Sequence, residues 1–154
     1  MTEEYQIKKQ EALKNIKIAD HILNVTYPLV KDPKLLKVVL NKIYNALYNA
    51  IAMLLYYERY HKRISVFIEN YDSMIESSKE IFLKYKISKG YIGFLHEIKE
   101  LIDIQKKSEI EFVRKENYVF ASKNYELNSL SINQIKDYMQ KAKLFINELI
   151  KIVN

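Results

Sequence analysis

The 154-residue chain contains no cysteine and only two glycines and two prolines. Without cysteine there is no disulfide, no thiolate-ligated zinc or iron–sulfur centre, and no thiol nucleophile. Gly90 and Gly93, three residues apart, cannot supply the turn every ~10 residues that a β-sandwich or barrel needs. Nor do they build a glycine loop that cradles phosphate. What remains is 49% hydrophobic and 29% charged, the balance of a globular protein, and the length fits one domain, 1–154.

The net charge is +6, unevenly distributed. Residues 1–31 carry +1, 32–64 carry +4, 65–107 are neutral and 108–154 carry +1. The excess lies in Lys34, Lys37 and Lys42, and in Arg59, Lys62 and Arg63. Such an excess suits RNA or another polyanion, or complements a helix C-terminus. The segment Thr2–Lys17 is charged throughout, unlike a signal peptide, and Ala46–Tyr57 is short for a bilayer span. The expectation is a cytoplasmic chain with no membrane contact.

Hydrophobic spacing predicts helices almost everywhere. Tyr5, Ala12, Ile16, Ala19 and Leu23 mark a first helix over residues 2–25, stopped by Pro28. Asp32 and Pro33 mark the next start, as cap and first helical residue. From there Leu36, Leu40, Ile43, Leu47, Ala50 and Leu54 keep a 4-3-4-3-4 rhythm towards Lys62. Tyr44, Tyr48, Ile51 and Leu55 form a second stripe, and no charge occurs between Lys42 and Glu58. So wide an apolar arc needs cover on several sides, as a bundle centre or a dimer seam, with those four residues as interface candidates. A third helix is expected over 70–85, with Ser73 and Glu76 as a capping box, and a fourth ends near Lys106. Tyr118–Ala121 and Tyr125–Leu127 flank Ser122-Lys123-Asn124, predicting a β-hairpin over 117–128. Ser131 and Gln134 open the last helix, with Leu130 stapled to Ile135. The fold expected is an all-α antiparallel bundle of four to five helices with a short hairpin before the last.

Catalytic constellations are sparse. Glu58 and His61 form one Glu-x-x-His pair, but a di-metal bundle needs two, so no metal or other cofactor is expected. His96-Glu97 lacks the second histidine of a zinc-protease helix. Lysine outnumbers arginine 22 to 3, which singles out Arg59, Arg63 and Arg114. A guanidinium grips carboxylate or phosphate through two parallel hydrogen bonds, as lysine cannot. Arg59 and Arg63, spaced to share a helical face beside Lys62, and Arg114 with Lys115 are therefore anion or partner-binding candidates; intramolecular ion pairing is the alternative. Tyr56 and Tyr60 could stack on bases, or simply pack.

The stretches Glu111–Tyr118 and Ser131–Ile150, with Tyr27–Lys34, resemble small archaeal helical-bundle proteins, a likeness that implies no activity. A more distant resemblance is to HEPN domains, helical bundles that include ribonucleases. Their motif is an arginine followed four to six residues later by histidine, at a dimer interface. Arg114 stands where that arginine would be, but the positions that follow, Val119, Phe120 and Ala121, are not histidine. The expectation is a non-enzymatic binding or scaffold module, dimeric or in a complex, weakly associated with RNA. The alternative is a HEPN-like ribonuclease using Arg114 and a histidine brought near by folding.

Overall fold

The computed structural model describes residues 2–122 and 126–154. Among them are five helices and a three-stranded antiparallel sheet placed before the last helix. Helix α1 spans Glu4–His21 and runs on through a π-helical turn, Ile22–Thr26, into a last helical turn, Tyr27–Val30. Pro28 therefore does not stop it. Within the π turn the Tyr27 N–H reaches back five residues to the Ile22 carbonyl. That wider turn admits a ring which, in a regular helix, collides with the carbonyl four residues earlier. The helix ends instead at Lys31, in a left-handed conformation (φ 54°).

Helix α2, Lys34–Tyr60, begins one residue later than its sequence indicates: Pro33 stands at the cap position, and the Asp32 carboxylate before it accepts the Lys34 N–H at 3.0 Å. It has the length and apolar content of a membrane-crossing helix, and it is the centre of the core. α1 lies along it in the most extensive pairing of the fold, and Ala12 and Ala19 permit close approach. Helices α3 (Tyr71–Lys84), α4 (Gly90–Lys107) and α5 (Ile132–Val153) cover its other sides. Asn70, not Ser73, caps α3: its side chain accepts the Ser73 N–H at 3.1 Å. Ser131 caps α5 through the Gln134 N–H at 3.1 Å, with Leu130 and Ile135 both buried.

The sheet has one strand more than the expected hairpin. β1 (Ile110–Arg114), β2 (Asn117–Ala121) and β3 (Leu127–Leu130) lie in that order. Arg114 pairs with Asn117 across the turn Lys115-Glu116, and Tyr118 pairs with Leu130. Of the predicted hairpin, Lys123, Asn124 and Tyr125 lie outside the described residues. Alternation sends Tyr118, Phe120 and Leu130 into the core, where the two rings stack at 5.6 Å. Lys37 on α2 fastens β1 through Glu111 at 2.8 Å.

The ends of α2 and α3 share one device. Lys62 and Lys86 adopt φ near +60°, and the next residue's N–H bonds back to the last turn. Arg63 N–H meets the Glu58 carbonyl at 2.9 Å, and Ile87 N–H the Phe82 carbonyl at 2.8 Å. Glycine is the usual residue there, because a Cβ crowds the backbone at positive φ. Replacing Lys86 by glycine is expected to stabilise the fold by about 0.5–1 kcal/mol. Calorimetry should show Tm rising by ~1–4 °C.

Candidate nucleic-acid interface

The three arginines have different fates. Arg63 lies beyond the end of α2, so it does not share a helical face with Arg59. The reversal at Lys62 turns it back, and its Nε donates to Glu58 Oε2 at 2.7 Å. Glu58, 1% exposed, also accepts from Lys84 Nζ at 2.8 Å and the Tyr85 hydroxyl at 3.0 Å. Burial alone would raise the pKa of this carboxyl; bonds from Lys84, Arg63 and Tyr85 outweigh it and hold the group below the usual carboxylate range. Arg63 also lies over the Tyr57 ring at 5.3 Å. Its charge ties the end of α2 to the end of α3. Arg59 lies in an open groove with Tyr5, Tyr56 and Tyr60, where Glu3 and Glu4 oppose its charge. Of the basic cluster read at the end of α2, Arg63 is paired with Glu58, Arg59 shares its groove with Glu3 and Glu4, and Lys62 takes the left-handed position of the reversal.

The four interface candidates on α2 are occupied by the chain itself. Ile51 and Leu55 are fully buried. Tyr44 packs against Tyr71 at 4.9 Å. Tyr48 donates to Glu69 Oε2 at 3.1 Å and Tyr56 to Glu69 Oε1 at 2.8 Å, so the segment 61–70 folds over this face. Lys8 on α1 adds an ion pair to Glu69 at 3.1 Å. The wide apolar arc is a bundle centre, not a seam left open. Burial and the Glu69 bonds push the Tyr48 and Tyr56 phenols up to about 12. Glu69 itself is lowered, because its bonds from Tyr56 and Lys8 outweigh burial.

Arg114 differs from both. Among the described residues no ion pair or hydrogen bond occupies its side chain. It projects with Ile110 and Phe112 from the outer face of the sheet, opposite Asn117. Arg114, Lys115, Asn117, Val119, Asn128 and Ser129 line a groove of about 330 Å³ there, with Leu127 completing it. No histidine or carboxylate belongs to that lining. His61 is wedged against Tyr57 and Tyr60, at 4.6 and 5.1 Å. His96 lines a separate depression with Asp72, Lys99 and Glu100, and His21 sits on the last turn of α1. None of the three histidines lines the Arg114 groove. The left-handed turn residue Lys115 (φ 58°) makes the reversal tight enough to set Arg114 and Asn117 side by side.

No family model, curated protein or solved structure matches the chain. Sequence reading missed Glu58 and Glu69 as organisers and Phe112 as part of the candidate surface. For Glu58 a signal existed: it is the only acid between Asp32 and Glu69, in the most basic segment.

Folding lowers the Glu58 and Glu69 pKa values, so their stabilisation is complete above the ordinary carboxylate value of about 4.3 and fades as pH falls through the folded values. Tm measured from pH 7 downward should decline in that window. Glu58→Gln should lower Tm at pH 7 by ~2–12 °C, for about 1–3 kcal/mol of lost charge-assisted bonding, and flatten the acid decline. In Glu69→Gln, spectrophotometric titration should show two phenols returning from about 12 towards ordinary tyrosine values.

Proposed function

We propose that the chain is a non-catalytic binding module for single-stranded RNA, held on the outer face of its sheet. The observation that carries this reading is the unpaired Arg114 guanidinium beside Lys115, on a face that also exposes Phe112. Single-stranded nucleic acid is gripped by cations that track the backbone and aromatic rings that stack on bases. Amide and hydroxyl groups of Asn117, Asn128 and Ser129 add donors and acceptors for base edges or ribose hydroxyls. Proton transfer to or from a ribose hydroxyl needs an acid or base within hydrogen-bond reach, and the groove lining offers neither histidine nor carboxylate. That favours binding over the ribonuclease reading. The end of α2 is the weaker candidate, since Glu58 engages Arg63 and Glu3 and Glu4 adjoin Arg59.

Two phosphate contacts on a single strand give a shallow salt dependence, a log–log slope of about −1.5. Fluorescence anisotropy with a labelled oligouridine at several salt concentrations should show it. Arg114→Ala/Lys115→Ala should weaken binding about tenfold and remove most of the slope. Phe112→Ala should weaken binding about as much while leaving the slope unchanged, because stacking releases no counterions. Arg59→Ala should bind like wild type. Equal binding by the Arg114/Lys115 double variant would overturn the reading, and so would RNA cleavage that disappears in Arg114→Ala.

A further inference from the structure

The π turn at the end of α1 deprives two carbonyls of their helical donors. The Leu23 carbonyl would accept from the Tyr27 N–H, which reaches back to Ile22 instead. The Asn24 carbonyl would accept from residue 28, a proline with no N–H. Leu23 is only 2% exposed, and a backbone carbonyl at such a site needs another donor. Helical carbonyls point along the axis, here towards Tyr27 and Pro28. Those two residues, with Leu23 and Asn24, line a cavity of about 350 Å³. That volume suits a small ligand, and π turns are frequent at functional sites.

The same cavity collects three charges from segments far apart in sequence. Lys31 follows the last turn of α1, Glu116 lies in the β1–β2 turn, and Lys136 stands near the start of α5. Among the described residues no ion pair or hydrogen bond occupies any of these three side chains, and they do not pair with one another. Elsewhere Glu58, Glu69 and Glu111 each hold a lysine or arginine. Here two ammonium groups and a carboxylate share one cavity and stay apart. Lys31 and Lys136 are donors for the two oxygens of a carboxylate. Glu116 and the freed carbonyls are acceptors for an ammonium group. Leu23, Pro28, Ile132 and the Tyr27 ring add apolar surface. A free α-amino acid carries the complementary set: one carboxylate, one ammonium group and a side chain. We propose that this cavity binds a free α-amino acid with an apolar side chain, its carboxylate on Lys31 and Lys136 and its ammonium group on Glu116 and the Leu23 carbonyl. The site needs nothing of the RNA reading, since neither Arg114 nor Lys115 lines it.

The test is a titration of the full chain with L-phenylalanine, followed by amide chemical shifts. Leu23, Tyr27, Lys31, Glu116, Ile132 and Lys136 should shift saturably, with a Kd on the order of 1 mM for a ligand of about twelve heavy atoms. N-Acetyl-L-phenylalanine lacks the ammonium group and 2-phenylethylamine the carboxylate; each should bind at least about tenfold more weakly. Glu116→Gln and Lys31→Ala/Lys136→Ala should weaken phenylalanine binding by a similar factor, while their spectra keep the dispersion of the folded chain. Pro28→Ala restores an N–H to the freed carbonyls and should also weaken binding. Arg114→Ala should bind phenylalanine as wild type does, so that failure of the RNA reading leaves this site standing. Equal binding of the N-acetyl compound would mean a site for anions alone and would overturn the proposal. So would wild-type affinity in Glu116→Gln, in the lysine double variant or in Pro28→Ala, or the absence of saturable shifts up to ~20 mM.

Discussion

Helix α2 carries no charge between Lys42 and Glu58, and its apolar side chains face nearly every direction. A helix of that composition needs cover on several sides, because each exposed leucine or isoleucine forgoes about 2 kcal/mol of burial; what it shows to water is a polar stripe that includes Asn45. The rest of the chain is arranged by that demand. α1 lies along one side, α3 and α4 on others, α5 closes the barrel of contacts, and Tyr118 and Phe120 of the sheet reach the same core. Segment 61–70, with no helix or strand of its own, closes over the tyrosine-bearing face. The half-polar rings there, Tyr48 and Tyr56, need both an apolar bed and a hydrogen-bond acceptor, and Glu69 supplies the acceptor for both.

Two carboxylates complete the boundary of this core. Glu58 ends the uncharged run of α2 and is buried with it, so it must be compensated; a guanidinium, an ammonium and a phenol converge on it. Glu69 does the same for the middle of the helix with two phenols and Lys8. Both networks draw in charges that look free along the sequence. The electrostatic character of the surface is accordingly decided by which cations the core's own acids have claimed. Arg114 and Lys115, on a hairpin tip away from α2, escape that claim.

The sheet is the part of the fold least constrained by α2. Only its inner face, through Tyr118, Phe120 and Leu130, enters the core. Its β1 edge is left to water, with apolar side chains and the unpaired Arg114 together on five residues, whereas Val119 and Ala121 on the outer face of β2 are buried. A protein whose helices are so fully engaged with one another has its adaptable surface there.

The sequence by itself determined the helices, because 3.6-residue periodicity and local caps act within a few residues: Ser131 caps α5 as its position indicates, and Asp32 bonds the first N–H of α2 from one residue before the cap position. It also determined that α2 needs cover on several sides. Pro28 was misleading because a π turn is invisible to a pattern read at one period. β1 was missed as a strand because its alternation of Glu111 with Phe112 shows no buried partner in sequence. The ligands of Glu58 come from positions 63, 84 and 85, and those of Glu69 from 8, 48 and 56. Pairings over such separations are set by how helices dock, so only tertiary structure could decide that Arg63 is engaged and Arg114 is not.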